Sequence, residues 1–467
     1  MSRGSVGSEG STGCLGATER AGLDMVDSMP QASDTKQALT NHDSASPERE
    51  VASVVSPASP SVPRHPQSRQ PHFRLTVQPA SPSRRAMPRN VYGPDHEAFR
   101  SSVREFVERT LKPRAEQMLE VKSVDRDIWK EAGKQGLFGL DIPEEFGGAG
   151  AGDYRFNAVA AEEIAGFNFA VSSCFGIHSD VCPPYLVDLG TQEQKERWLP
   201  GMANGDLICA IAMTEPSGGS DLAALKTTAV REGDDWVLNG SKTFITNGFQ
   251  ADLVIVAART DPSKGAKGIT LFMVEAGMEG FSRGRKLDKV GQEEADTSEL
   301  FFEGVRVPDA NRLGEEGLGF ISMMQRLPQE RVGAAVANTA HAFQIFRETV
   351  AYTKERKAFG QPIGSFQHNK FKMAELQTKL EVTQAYVDDC IAAHAEQKLT
   401  AVDAAKAKWF SAQVQNDVLD ECVQLYGGYG FMNEYRVARA WRDARVSKIW
   451  AGSNEIMKEL IGRDLGL

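Results

Sequence analysis

The sequence predicts an α+β protein laid out as helices, then a small β-domain, then a helical bundle. Three observations carry this. Apolar residues recur at helical spacing on both sides of a central stretch. That stretch alone contains short β-rich runs joined by N-G and D-D turns. Before all of this, residues 1–90 show no apolar periodicity.

Taken in order, 1–90 is rich in Ser, Pro, Gly, Ala and Arg, a composition that buries too little surface to offset its ordering entropy, and it is expected to be disordered. Arg64, Arg69, Arg74, Arg84, Arg85 and Arg89 fall in a segment without acids, as in a transit peptide. Glu9, Glu19, Asp24 and Asp27 spoil an acid-poor start, so an upstream extension ahead of Met87 is the preferred reading. The N-terminal all-α domain is expected over 91–208, where Phe99, Val103, Phe106, Val107 and Leu111 share one helical face. Its helices are expected to break at IPEEFGGAGAGDY and at Pro183–Pro184. Over 209–318 runs such as KTFITNG, ADLVIVAART and SELFFEGVRVP predict a central β-barrel or sandwich. Over 319–467 helix returns in long segments, a C-terminal four-helix bundle.

A net charge of -10 argues against a general nucleic-acid binder or an anionic-membrane partner. Six scattered cysteines without a C-x-x-C pair read as free thiols in a reducing compartment, not a disulfide frame or metal site. The apolar run ADLVIVAA falls short of the roughly 20 residues a membrane span needs.

Four stretches bear on chemistry. In IAMTEPSGGSD, Ile211 to Asp221, small residues allow close backbone approach to an anion, although the spacing is neither a P-loop nor G-x-G-x-x-G and by composition alone a connecting loop is the better reading. In KTFITNG, Phe244 and Thr246 could lay a ring and a hydroxyl on a flat heterocycle, or be core and turn. In RKAFG, Arg356 suits a phosphate or simply a solvated helix end, and QLYGG could be a break between helices. In RLPQERVG, Glu330 is expected near a helix start after Pro328, where a glutamate usually meets the dipole and water.

Together MTEPSGGSD, FITNG, ERKAFGQPI, VQLYGGYGF and the closing WRDARVSKIWAGSNEIMKELIGRDLGL make the chain from about Val91 to Leu467 resemble an acyl-CoA dehydrogenase. The resemblance implies FAD between the β-domain and the C-terminal helices, with Ile211, Met213, Thr214 and Ser220 along flavin ring and pyrophosphate, and Ser220 also on substrate. Phe244, Ile245 and Thr246 would pack and hydrogen-bond the flavin, Phe244 standing where the family usually has Trp. Arg356, Phe359, Gln367, Gln424, Leu425, Gly427 and Gly428 would meet a flavin held mainly by a neighbouring subunit. A homo-oligomer follows, most often a tetramer. Ser453, Asn454 and Glu455 would lie on the flavin side.

The implied reaction is α,β-dehydrogenation of an acyl-CoA thioester, with electrons passed to an electron-transfer flavoprotein. Most relatives carry the base in Tyr-Glu-Gly-Thr near the chain end; here the stretch is Trp450-Ala451-Gly452-Ser453, and alanine cannot take a proton. A minority, the long-chain and isovaleryl types, use a glutamate in a Glu-Arg pair on another helix, and Glu330-Arg331 falls at that position. Glu330 is therefore the expected base, with Glu455 its rival. Pro328, Gln329, Arg331, Ala451 and Gly452 are expected on the substrate, the Ala451 N–H at the thioester oxygen. LPQER favours the long-chain type; branched substrates, an acyl carrier protein, an oxygen-using oxidase and a non-catalytic helical interaction protein are the alternatives. The expected location is bacterial cytoplasm, or else a mitochondrial matrix.

Overall fold

Val103, Phe106, Val107 and Leu111 form a buried stripe along α1 (Pro94–Phe106) and the π-turn Val107–Leu111 that extends it. The computed structural model describes Arg89–Leu467, so nearly all of the extension expected over 1–90 lies outside the described residues. α2 (Ala115–Val121) and α3 (Arg126–Lys134) close round the same apolar cluster, in which Trp129, Phe138 and Phe175 stack edge to face or tilted.

α4 (Arg155–Phe167) is followed by α5 (Phe169–Gly176), which Asn168 caps through its side chain on the Val171 N–H. The Pro183–Pro184 pair does not break the chain as expected. Both prolines sit in the first turn of α6 (Cys182–Leu189), where missing N–H groups cost little. Before them helix continues from α5 through a π-turn, Ile177–Val181, whose wider hydrogen bonding carries the backbone past the missing donors. α7 (Gln192–Ala203) begins with a Thr191–Gln194 capping box.

The central strands form one continuous ladder: β1 (Cys209–Ala212), β2 (Thr228–Glu232), β3 (Asp235–Ile245), β4 (Leu253–Arg259), β5 (Ile269–Glu275), β6 (Phe281–Lys286), β7 (Ser298–Pro308) and β8 (Arg312–Leu313). The order is β6-β7-β3-β2-β4-β5-β8, with β1 parallel to β4 at Cys209↔Leu253. Its inward residues, among them Trp236, Val256, Phe272, Leu300 and Phe302, make a single core, so the expected barrel or sandwich is one sheet curled on itself. β3 pairs antiparallel with β7 and slips register between Lys242 and Ile245.

α8 (Gly319–Glu355) runs 37 residues with Pro328 inside it. Glu330 is therefore not near a helix start. The helix survives the proline because both sides of it are anchored in core, by Phe320 and Met323 before and Val332, Ala335 and Val336 after. A short hairpin, β9 (Lys357–Ala358) and β10 (Gln361–Pro362), leads to α9 (Gln367–Ala395), α10 (Ala401–Tyr426), α11 (Arg436–Ala444) and α12 (Asn454–Asp464). Tyr154, just before α4, and Ala158 within it share a buried cluster with Val332 and Val336 of α8 and Val387 of α9, which locks the first helices onto the last.

Candidate active site

A cavity of about 310 Å³ opens where α4, α5, the π-turn, β1, the end of β3, α8 and the turn before α12 meet. Ile211, Met213, Thr214, Phe244, Ile245, Thr246, Glu330, Ala451 and Gly452 all border it. Residues predicted from four separate motifs thus converge on one space.

Glu330 is carried on α8 far from either helix end, and the Tyr185 hydroxyl donates to its Oε1 at 3.2 Å. Burial pushes the Glu330 carboxyl up to about 7, although that hydrogen bond and the Arg331 charge pull the other way. Arg331 is buried, its Nε has no partner among the described residues, and burial pulls the guanidinium down to about 10. A second carboxyl, Asp180, also borders the cavity and is also pushed up to about 7 by burial. The two differ in occupancy. Asp180 accepts from Gln329, Asn157 and Tyr154, whereas Glu330 accepts from Tyr185 alone and keeps an oxygen free.

On the sheet side, Phe244 has φ +59°, an outlier for an aromatic residue, and 69% of its surface is exposed. It is not core. The register slip in β3 falls at this point, and Phe244 and Thr246 both border the cavity. Beneath, Lys242 is fully buried and its Nζ donates to Glu215 Oε1 at 2.8 Å and to the Met213 carbonyl at 3.2 Å. Glu215 also accepts from the backbone N–H groups of Lys226 and Thr227. Burial opposes its ionisation, but Lys242 and these donors hold the carboxyl down to about 2. The Met213–Thr214 stretch is thereby pinned to β3.

In the turn before α12, Ala451 and Gly452 both take positive φ, +50° and +84°. A Cβ on Gly452 would lie 2.6 Å from the Met457 methyl. Lys408, fully buried, donates to the Gly452 carbonyl at 2.5 Å and to Asn454 Oδ1 at 3.4 Å. Ser453 caps α12 through its hydroxyl on the Ile456 N–H. Glu455 is exposed in the first turn, does not border the cavity, and is held below the usual carboxylate range by its own backbone N–H and Ser453.

The remaining predicted residues stand elsewhere. Ser220 is exposed and outside the lining, which takes Gly219 and Leu222 instead. Pro328 and Gln329 do not border the cavity either, and the Gln329 amide is spent on Asp180. Arg356, Phe359, Gln367, Gln424, Gly427 and Gly428 are exposed, and with Leu425 lie where α8, the hairpin, α9 and α10 end or begin. There the Arg356 guanidinium sits 5.4 Å above the Tyr429 ring, and the Phe359 ring, 95% exposed, meets Phe366 edge to face. One chain does not bring this patch to the cavity.

Sequence reasoning passed over Tyr185, Asp180, Asn157 and Lys408. A signal existed for Asp180, the lone acid in the mostly uncharged SSCFGIHSDVCPPYLV, since a charge in such a run is the informative exception.

A half-buried carboxyl pushed up toward neutrality at the edge of a largely apolar cavity is the arrangement expected of a general base. Comparison with known proteins names the class. The N-terminal, middle and C-terminal domain families of acyl-CoA dehydrogenase match residues 93–206, 210–305 and 317–466. The mouse protein "Long-chain specific acyl-CoA dehydrogenase, mitochondrial" is 47% identical over 379 residues, 81% of this chain and 88% of that one. Rice "Isovaleryl-CoA dehydrogenase, mitochondrial" is 37% identical over 377 residues, 80% of this chain and 92% of that one. The crystal structure of acyl-CoA dehydrogenase from Geobacillus kaustophilus is 42% identical with TM-score 0.80, covering 81% of this chain and all of that one. The chain belongs to the acyl-CoA dehydrogenase family, a family of oxidoreductases. Among the described residues no helix is long and apolar enough to cross a membrane, and no group of three His, Cys, Asp or Glu could hold a metal ion.

Proposed function

We propose that the protein is an FAD-dependent long-chain acyl-CoA dehydrogenase in which Glu330 is the base. The observation that carries the role is Glu330 itself, a carboxyl pushed up to about 7 with one oxygen free beside an apolar cavity. The higher identity to the long-chain relative than to the isovaleryl one supports the substrate class. So does a lining of small residues, Ala160, Ala161, Gly176, Ala334 and Ala337, which leaves room for a long tail.

The cavity suits a flavin. A strained Phe244 ring held out beside the Thr246 hydroxyl offers a flat apolar face and a hydrogen-bonding partner, at a place where an exposed ring has no folding purpose. Phe244, Ile245, Thr246, Met213 and Thr214 would hold the ring. When bound, FAD supplies the two-electron acceptor that the β-hydrogen requires. Everything else falls to the chain. Glu330 removes the α-proton through its free oxygen, Arg331 offsets the negative charge around it, and the Ala451 N–H, fixed by the Lys408-braced turn, faces the thioester oxygen where charge develops. The Arg356, Phe359 and Gln367 patch serves the flavin of a second copy, which makes the working form an oligomer, a tetramer on family precedent. Electrons pass to an electron-transfer flavoprotein. Five buried free cysteines among the described residues suit a reducing bacterial cytoplasm or mitochondrial matrix.

The test is anaerobic bleaching of the bound flavin by a panel of straight and branched acyl-CoAs. Long straight chains should bleach it fastest; equal or faster bleaching by branched short chains refutes the long-chain reading.

A pH prediction follows from Tyr185. Only ionised Glu330 accepts a proton, so kcat/KM rises with pH through its pKa. The Tyr185 hydroxyl favours the ionised form. Tyr185→Phe should therefore shift the acid limb to higher pH while leaving the plateau rate within a few-fold. A pH–rate profile whose acid limb stays in place removes Tyr185 from that role.

A further inference from the structure

One wall of the cavity is polar. Asn157 on α4 donates through Nδ2 to Asp141 Oδ2 at 2.8 Å and to Asp180 Oδ1 at 3.3 Å. Gln329 donates to the same Asp180 oxygen at 2.8 Å and to the Asp180 carbonyl at 2.9 Å. The Tyr154 hydroxyl donates to Asp180 Oδ2 at 3.3 Å. Asp180 stands on the π-turn, a kind of helical irregularity that recurs at functional sites. It is partly buried and borders the cavity.

Three features mark this wall as built for a ligand group. First, Asp180 Oδ2 keeps unused acceptor capacity, having one long hydrogen bond. Second, Asn157 is 94% buried and its Oδ1 has no partner among the described residues. The amide cannot be turned round, because that would set its oxygen against the carboxylates of Asp141 and Asp180. Third, Gly333 lies three residues after Glu330 on α8, and a Cβ there would sit 2.6 Å from Asp180 Oδ2 and 3.1 Å from the Tyr154 hydroxyl. Glycine at that position lets the helix that bears the base run directly past the carboxyl.

We propose that Asp180, backed by Asn157, Gln329 and Tyr154, is a subsite for a hydroxyl group carried part-way along the acyl chain, so that mid-chain hydroxylated long-chain acyl-CoAs are preferred substrates. The inference rests on the reading of the cavity as the acyl site. A plain hydrocarbon leaves the spare acceptor capacity of Asp180 Oδ2 dry, which is costly. The wall offers acceptors, so it selects a donor: a hydroxyl fits, and a second carboxylate on the chain is repelled. Burial pushes Asp180 up to about 7, so near neutrality the carboxyl can also donate to the same hydroxyl when protonated. Gly333, against which Asp180 Oδ2 lies, is three residues, ~4.5 Å, along α8 from the base, which places the hydroxyl a few carbons from the reacting bond.

The experiment compares kcat/KM for a straight-chain acyl-CoA and for the same chain bearing one hydroxyl at successive mid-chain carbons. It uses the flavin-loaded wild type, Asp180→Leu and Asp180→Asn. The wild type should favour one hydroxylated isomer by about tenfold, the worth of a hydrogen bond to a charged group. Asp180→Leu should abolish or invert that preference, with Asp180→Asn between. No isomer preferred by the wild type, or a preference that Asp180→Leu leaves unchanged, overturns the proposal. If Asp180→Leu does not retain flavin, Asp180→Asn decides alone, and an undiminished preference in it overturns the proposal. Failure of the wild type to turn over any acyl-CoA would instead sink the acyl-site reading beneath it.

Discussion

Glu330→Gln is expected to lower turnover of acyl-CoA on the order of 10⁴-fold while the protein keeps its flavin. The amide preserves the shape of the side chain and its hydrogen bond from Tyr185 but cannot accept the α-proton. Binding of substrate should change little, so the loss should appear in kcat, not in KM. Stopped-flow reduction of the bound flavin reads the step directly, and the flavin spectrum of the purified variant shows that the site is intact. If Glu330→Gln remains active, the base is another carboxyl. Asp180 then comes first, since it is the other acid on the cavity, and Glu455 last, since it is exposed and outside the lining.

Lys242→Met should cost about 3–5 kcal/mol of stability, the usual penalty for leaving one member of a buried ion pair without its partner. Lys242 is fully buried and Glu215 is 5% exposed, so water cannot replace the lost ammonium. The effect should reach the site as well, because the same lysine ties the Met213 carbonyl to β3 and so sets the stretch that would lie along the flavin. Denaturant unfolding of the apoprotein measures the first effect, and flavin retention on dilution measures the second. Adding Glu215→Gln to Lys242→Met should recover part of the stability, since the stranded charge is then gone. A loss under 1 kcal/mol in the single variant would mean that the pair is not buried in solution as it is here.

The alternation of helix, sheet and helix was legible because periodicity is local. Val103, Phe106 and Leu111 repeat at helical spacing, and runs such as ADLVIVAART alternate with turn residues, whatever the rest of the chain does. Pro183, Pro184 and Pro328 misled for the same reason. Proline disfavours helix locally, but first-turn placement removes the penalty at 183 and 184, and core contacts on both sides outweigh it at 328. The error at 328 mattered most. It set Glu330 beside a solvated helix end, when the carboxyl in fact lies deep in a helix whose neighbours desolvate it.

The sequence by itself determined the order of the three parts, the family, and the two facts that define the site's puzzle: no acid at Ala451, and a glutamate at 330. Tertiary structure alone decided what surrounds that glutamate. Tyr185, Asp180 and Asn157 are 145, 150 and 173 residues from Glu330 along the chain, and no spacing rule links them to it. Burial raises a carboxyl's pKa only when distant segments exclude water together, and a hydrogen bond counts only when packing brings its two atoms within reach. Residue types are written along the chain; desolvation is not.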